Sequence, residues 1–131
     1  MTPAARRWLA WLPAIGWATV IFVLSAQPKL PSPAGLGDKQ AHVLAYALLA
    51  VLVLVGLAGG RVARVSRQAI GGAFVIAVLY GVSDEFHQSF VPGRTPDVGD
   101  VVADAAGAAI GLVAAGASAI LLRGRTSTPR A

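Results

Sequence analysis

The chain has 131 residues, of which 56% are hydrophobic and only 13% are charged. Soluble domains carry about 25% charged residues, so the composition indicates a membrane protein rather than a soluble one. There is no cysteine, which excludes disulfides, thiolate nucleophiles and cysteine-based metal sites. The net charge of +5 suits nucleic acid or anionic lipid as a partner, but arginine also collects on the cytoplasmic side of membrane proteins during insertion.

Four apolar runs approach the roughly 20 residues that one bilayer crossing requires. The predicted spans are approximately residues 8–26, 38–58, 68–87 and 101–122. The connections between them are rich in proline, glycine or arginine. The first run follows Arg6 and Arg7 and could instead be a signal peptide, although Leu24 replaces the small residue expected before a cleavage after Ala26. We predict an all-α fold, a four-helix transmembrane bundle that forms a single domain over residues 1–131, with a polar cytoplasmic tail at 123–131.

The charged residues divide between the two ends of this bundle. Four crossings put both termini on one side, and that side receives Arg6, Arg7, Arg61, Arg64, Arg67, Arg123, Arg125 and Arg130. The other side receives Lys29, Lys39 and Arg94 and every acid of the chain, namely Asp38, Asp84, Glu85, Asp97, Asp100 and Asp104. By the positive-inside rule, both termini are cytoplasmic and the acids face outward. Because the arginines are spread over short turns without interleaved aromatic residues, we expect no nucleic-acid partner.

Polar residues follow a helical spacing at the outer end of the second span. Asp38, His42 and Tyr46 are four residues apart, so they share one stripe of a helix. At 1.5 Å per residue, Tyr46 lies about 12 Å below Asp38. The second span therefore carries a polar strip into the bilayer.

The third and fourth spans bring further polar residues to the same end. Asp84 stacks with His87 and Gln88 near the end of the third span, while Asp100 and Asp104 are four residues apart at the start of the fourth. A charged side chain near the centre of a membrane helix costs about 2.5–3.5 kcal/mol, so these groups are expected to face one another or a water-filled cleft. We predict one shared polar pocket.

Simpler explanations exist for single members of this set. Asp38 and Asp100 suit helix caps, His42 alone could be a hydrogen-bonded interior histidine, and Arg94 alone could pair with a carboxylate that keeps its loop ordered. Carboxylates and imidazoles also suit zinc or manganese, but no HExxH or comparable ligand spacing is present. We therefore predict no metal site and no cofactor, with a divalent metal as the alternative.

Small residues predict close helix packing in the fourth span. Gly107 and Gly111 form a GxxxG pair, which suits either the core of the bundle or a homodimer. Asp104 lies on the same stripe, so the closely packed face also carries an acid. This favours packing inside the bundle, with a homodimer through the two glycines as the alternative.

Four groups of residues occur in order along the chain: Asp38-Lys39 with His42 and Tyr46, then Ser83-Asp84-Glu85-Phe86-His87-Gln88, then Val91-Pro92-Gly93-Arg94, then Asp97, Asp100 and Gly107. With this combination the chain resembles the VanZ-like family of small bacterial membrane proteins, named for a teicoplanin-resistance protein. The resemblance spans nearly the whole chain. One difference is Asp104, where the family usually has Asn, and such an extra buried acid requires a partner, either Arg94 or a histidine.

The resemblance implies a multi-pass protein of the bacterial cytoplasmic (inner) membrane, linked in some members to lowered susceptibility to lipoglycopeptide antibiotics. We expect an outward-facing polar pocket that binds or modifies a membrane lipid or a lipid-linked cell-wall precursor. The expected alternatives are a non-catalytic antibiotic-interaction or scaffold protein and a small proton-coupled transporter.

If the chain is an enzyme, hydrolysis or transfer at a phosphate or ester suits its polar residues best. A histidine paired with a carboxylate would be the base, and Arg94 and Lys39 would hold an anionic group. The candidate catalytic residues are His42, Asp84, Glu85, His87 and Arg94. The candidate substrate-binding residues are Asp38, Lys39, Tyr46, Gln88, Asp97, Asp100 and Asp104.

Overall fold

The computed structural model describes residues 2–28, 35 and 37–126. Its helices are α1 (Pro3–Leu9), α2 (Leu12–Ser25), α3 (Asp38–Leu57), α4 (Arg67–Gln88) and α5 (Val98–Thr126), with a short 3-10 helix at Val62–Arg64. The described part of the chain contains no strand, so the predicted all-α fold is confirmed. Four helical segments are long and apolar enough to cross a membrane: Pro3–Ser25, Asp38–Leu57, Arg67–Gln88 and Val98–Gly124. The chain is therefore a multi-pass membrane protein.

The first and last helical segments differ from the predicted spans by several residues. The first helical segment begins at Pro3 rather than near residue 8, and it is interrupted at Ala10 and Trp11 before α2 begins. Pro13, the second residue of α2, has no N–H to donate to the preceding turn, which accounts for the interruption. At the other end of the chain, α5 continues to Thr126, so the predicted tail begins as helix. The rest of the predicted tail, residues 127–131, lies outside the described residues. So does Lys29, which was predicted to lie on the outward side.

The closest helix packing in the bundle is that of α5 against α3. A Cβ atom added at Gly107 would overlap the backbone carbonyl of Val43, and one added at Gly111 would lie 3.0 Å from the Cα atom of Ala47. Only glycine permits backbones to approach this closely. Both glycines are thus covered by α3 of the same chain, and a dimer through them would require α3 to leave. This is the internal packing that the sequence favoured.

The first span is bound to the bundle by hydrogen bonds from polar side chains. The indole N–H of Trp17 donates to the carbonyl oxygen of Ala45 at 2.9 Å, and the Tyr80 hydroxyl donates to the carbonyl oxygen of Ala18 at 2.6 Å. A buried polar group requires such a partner, so these bonds determine how α2 lies against α3 and α4.

The bundle has chemically distinct ends. At what we call the acidic end, α2 and α4 finish and α3 and α5 begin, and there lie all six acids of the chain. At the arginine-rich end lie Arg7, Arg61, Arg64, Arg67 and Arg123. Between the ends, the outer faces carry apolar side chains such as Leu79, Val113 and Ile120, which are 62%, 73% and 70% exposed in the isolated chain. A face of this kind suits contact with lipid acyl chains.

Candidate functional site

Two adjoining cavities form a cleft at the acidic end, which we call the acidic cleft. The outer cavity, of about 340 Å³, is lined by Asp38, Gln88, Gly93, Arg94, Thr95, Pro96, Asp97 and Asp100. The inner cavity, of about 160 Å³, is lined by Ile21, Leu24, Ser25, Asp38, Ala41, His42, Ala45, Tyr46, Asp84, Gln88 and Arg94. Asp38, Gln88 and Arg94 line both. The cleft therefore has polar residues around its mouth and a mixed polar and apolar wall deeper in the bundle.

A histidine and a carboxylate from different helices are paired at the inner cavity. The Nδ1 atom of His42 lies 2.8 Å from an oxygen of Asp104, 62 positions along the chain, and the Asp104 side chain is only 1% exposed. Nε2 of the same ring lies 3.9 Å from Asp100. When the Nδ1 proton is shared with Asp104, Nε2 is the basic nitrogen of a neutral imidazole. The buried carboxylate would thus orient the ring and select its tautomer, as in other histidine–aspartate pairs.

Asp84 is held by two neutral side chains. The Ser25 hydroxyl, at the end of α2, donates to one carboxylate oxygen at 2.5 Å, and the Gln88 amide donates to the other at 3.1 Å. Asp84 and Gln88 are one helical turn apart on α4 and are 5% and 3% exposed. Both oxygens of this buried acid therefore have donors, as a carboxylate in a membrane bundle requires.

The remaining acids connect the loop after α4 to the starts of α3 and α5. Glu85 accepts a hydrogen bond from the backbone N–H of Asp97 at 2.5 Å. Lys39 binds Asp97 at 2.7 Å and Asp100 at 3.0 Å, so one ammonium group joins the two acids. Because the Lys39 side chain is 56% exposed, these ion pairs are expected to stabilise the fold little. Their effect is to place a cation and two carboxylates at the mouth of the cleft.

Tyr46 lies in the wall of the inner cavity with an unsatisfied hydroxyl. The residue is 1% exposed, and its ring stacks on that of His42 with 6.4 Å between centroids. Its hydroxyl oxygen is buried and has no hydrogen-bond partner among the described residues. A buried hydroxyl without a partner is costly, so a polar group of a bound molecule would be favoured at this position.

Arg94 closes one side of the cleft. Its Nε atom donates to the carbonyl oxygen of Gln27 at 3.0 Å, and Nη2 lies 3.5 Å from the carbonyl oxygen of Leu24. The described bonds of Arg94 are therefore to carbonyl groups at the end of α2, whereas a carboxylate partner was the simple explanation for this arginine. This anchoring positions a guanidinium, which has five N–H donors, at the wall shared by the two cavities.

A family model described as VanZ/LLP1 matches residues 10–121. The chain belongs to the VanZ/LLP1 family. Neither the curated proteins nor the solved structures contain a match to it. The family resemblance predicted from the sequence is thus confirmed, and the matched range covers all four spans except the first residues of the first and the last residues of the fourth.

The structure of this VanZ/LLP1 chain places eight of the twelve predicted site residues in the lining of the acidic cleft. Lys39 and Glu85 do not line it but bind residues at its mouth and in the adjoining loop, and His87 and Asp104 lie apart from it. His87 does not line either cavity of the acidic cleft. Its ring stacks on Phe22 of α2 with 4.4 Å between centroids, and its Nδ1 atom is buried without a partner among the described residues. Asp104 was predicted to bind substrate, but it is buried behind His42 and lines neither cavity. Its position is that of a residue that orients the imidazole.

Two residues of the site lay outside the sequence prediction. Ser25 supplies the short hydrogen bond to Asp84, and the signal for it was a hydroxyl at the outer end of an apolar span. Gly81 gives Asp104 its space, because a Cβ atom at Gly81 would lie 2.7 Å from a carboxylate oxygen of Asp104 and 3.2 Å from the Tyr46 ring. No local pattern identifies Gly81, since its neighbours come from two other helices.

The polar side chains of the cleft do not converge as metal ligands. Across the described residues, no group of three or more His, Asp or Glu side chains is arranged to hold a metal ion. The chemistry that the arrangement offers is proton transfer at the His42–Asp104 pair and anion binding at Arg94 and Lys39.

Proposed function

We propose that this VanZ/LLP1 protein lies in the bacterial cytoplasmic membrane and uses the acidic cleft to bind or modify an envelope lipid or a lipid-linked cell-wall precursor. The single observation that carries the proposal is the composition of the inner cavity. Ile21 and Leu24 provide apolar surface in the same cavity as His42, Asp84 and Arg94. An amphiphile with an acyl or polyprenyl chain and a polar head has the matching distribution of surface.

The charged groups suggest how such a molecule would be held. Arg94, anchored at α2, and Lys39, at the start of α3, are the cations at the cleft and suit a phosphate or carboxylate. Tyr46 would supply a hydroxyl deeper in the cavity, where its own hydrogen bond is unmade. The cleft thus provides an anion site near the membrane surface and a polar contact below it.

If the ligand is modified, the His42–Asp104 pair is the best candidate for the acid and base chemistry. His42 Nε2 would accept a proton from water or a hydroxyl group, while Asp104 holds Nδ1 and stabilises the charged ring. Hydrolysis or transfer at a phosphate or ester is the class that this assignment supports. Asp84, whose oxygens are both bound by neutral donors, is assigned to holding α2 against α4.

The orientation of the bundle forms part of the proposal. Four spans put both termini on one side, and the excess of arginine there supports cytoplasmic termini and an outward-facing cleft. Lowered susceptibility to lipoglycopeptide antibiotics, which act outside the cell, would then be a consequence of changing or binding an exposed envelope molecule. A reporter active only in the cytoplasm, fused to the C-terminus, would be active if this orientation holds and silent if it does not.

The two histidines of the chain allow a matched test of the proposed site. Envelope lipids and cell-wall precursors would be quantified in cells that express the wild type, His42→Gln or His87→Gln at equal membrane levels, and lipids that copurify with each protein would be identified by mass spectrometry. We expect one lipid species to change or to copurify with the wild type and with His87→Gln, and this effect to be lost in His42→Gln. His87 is the control because it lies outside the cleft.

Each outcome of this test has a distinct meaning. A change in lipid composition that requires His42 supports modification, whereas copurification without a change in composition supports a non-catalytic binder or scaffold. Equal profiles from the wild type and from cells without the protein, with no copurifying lipid, would overturn the proposal. Loss of the effect in His87→Gln but not in His42→Gln would indicate that the functional site surrounds His87 on α4 rather than the acidic cleft.

A further inference from the structure

A separate cavity lies at the opposite end of α3 from the acidic cleft. It has a volume of about 260 Å³ and lies between α3 and α5, with Leu54, Val55, Ala115 and Leu122 among its apolar walls. Val55 and Leu122 are 38% and 50% exposed in the isolated chain, so the walls continue into the surface that faces lipid. The cavity is therefore accessible to acyl chains from the side.

Arg61 supplies the polar end of this cavity. The turn that follows α3 contains Gly59 and Gly60 with φ values of 60° and 70°, a conformation that residues with a side chain rarely adopt. The N–H of Gly60 donates to the carbonyl oxygen of Val55 at 2.9 Å, which closes the helix and directs the chain back along it. Arg61 follows this turn and lines the cavity.

The guanidinium of Arg61 has an unmade hydrogen bond. Its Nη1 atom is buried and has no partner among the described residues. A buried donor on a charged group is costly when unpaired, and a phosphate oxygen is the acceptor that arginine binds most strongly, through charge-assisted and often bidentate bonds. An anion at this position would therefore satisfy Arg61.

The neighbouring charges also favour an anion. Arg7 and Arg64 both lie close to Gly59, with Arg7 Cγ 3.3 Å and Arg64 Nη1 3.6 Å from the position that a Cβ atom of Gly59 would occupy. Arg123 donates to the carbonyl oxygen of Val65 at 2.6 Å. All six Asp and Glu residues of the chain are at the other end, so no acidic side chain lies among these arginines.

We propose that this cavity binds one anionic phospholipid, with the phosphate on Arg61 and an acyl chain along the wall formed by α3 and α5. Basic pockets between membrane helices are a known way of holding anionic headgroups, and each basic residue near the surface contributes about 1 kcal/mol. Arg61 and one neighbouring arginine together therefore correspond to a preference of at least about tenfold over a zwitterionic lipid. The site does not depend on the function proposed for the acidic cleft.

Native mass spectrometry of the full chain in detergent tests this site. Phosphatidylglycerol and phosphatidylcholine with identical acyl chains would be titrated against the wild type and three variants. Arg61→Gln removes the proposed phosphate ligand, and Arg67→Gln is the control, because it removes the same charge at the same end without lining the cavity. Ser118→Phe fills the cavity and leaves the charge unchanged.

For the wild type and Arg67→Gln we expect one tightly bound phosphatidylglycerol, with a Kd about tenfold below that for phosphatidylcholine. Arg61→Gln should lose most of the preference between lipids, and Ser118→Phe should lose the bound lipid while its circular dichroism stays that of the wild type. Equal weakening in Arg61→Gln and Arg67→Gln would overturn the proposal in favour of diffuse charge attraction. Equal binding of both lipids by the wild type would also overturn it, as would a protein dimer that excludes lipid from the cavity.

Discussion

Substitution of Gly107 by alanine is expected to separate α5 from α3 and so to disturb the His42–Asp104 pair. The added Cβ atom would overlap the Val43 carbonyl oxygen and lie 2.8 Å from the Val43 Cα atom. Backbone atoms of a helix cannot move aside individually, so the helices must part by roughly 1 Å to restore van der Waals contact. The hydrogen bond of 2.8 Å between His42 and Asp104 lies one turn away and would exceed normal length.

The cost of this substitution can be estimated from helix packing. Overpacking a well-packed interface typically costs about 1–3 kcal/mol of unfolding free energy. Replacing a helical glycine with alanine also contributes about 0.8–1.0 kcal/mol of helix propensity in the favourable direction. Gly71→Ala in α4 isolates that favourable effect, because a Cβ atom there has no neighbour within 4 Å. We therefore expect Gly107→Ala to be less stable than Gly71→Ala by about 1–3 kcal/mol.

Two measurements check this expectation. Unfolding free energies would be obtained by titrating the detergent-solubilised protein with dodecyl sulfate and following helical circular dichroism. Nitrogen NMR of protein labelled only at histidine would report the His42 ring, because the chain has two histidines and His87→Gln assigns the signals. We expect a changed His42 spectrum in Gly107→Ala and an unchanged one in Gly71→Ala. Equal stability of the two variants, with identical His42 spectra, would refute the packing argument.

Three further substitutions probe the acidic cleft. Tyr46→Phe removes a buried hydroxyl without a described partner, so we expect an unfolding free energy equal to or about 1 kcal/mol above that of the wild type, together with loss of the copurifying lipid. Gly81→Ala forces a Cβ atom to 2.7 Å from Asp104, so we expect a loss of about 1–3 kcal/mol relative to Gly71→Ala by the same titration. Arg94→Lys keeps the charge but cannot reproduce the two contacts of the guanidinium with the carbonyl groups of Leu24 and Gln27. We expect faster amide hydrogen exchange in the loop between α4 and α5, measured by mass spectrometry.

Each of these results can contradict its argument. A Tyr46→Phe protein that is clearly less stable than the wild type would mean that the hydroxyl is satisfied in the folded protein. An unchanged stability in Gly81→Ala would mean that Asp104 has space elsewhere. Unaltered exchange in Arg94→Lys would show that the loop is held by the bonds of Glu85 and Lys39 instead.

The architecture of this protein could be predicted from local sequence properties. A membrane span requires about 20 consecutive apolar residues and satisfies its backbone internally, so length and composition identify each of the four helices without reference to the others. The spacing of Asp38, His42 and Tyr46 likewise follows from helix geometry alone. The same holds for the division of charge between the two ends, since even-numbered crossings determine which connections share a side.

The contacts between helices could be determined only by the tertiary structure. The pairing of His42 with Asp104 depends on how far α3 and α5 are rotated and how closely they approach, which Gly107 and Gly111 permit but do not specify alone. The position of His87 also depends on packing between helices. It shares a helical stripe with Asp84, yet its ring stacks on Phe22 outside the cleft. Helical spacing defines which residues share a face of one helix, whereas the neighbour that this face meets is decided by the packing of the whole bundle.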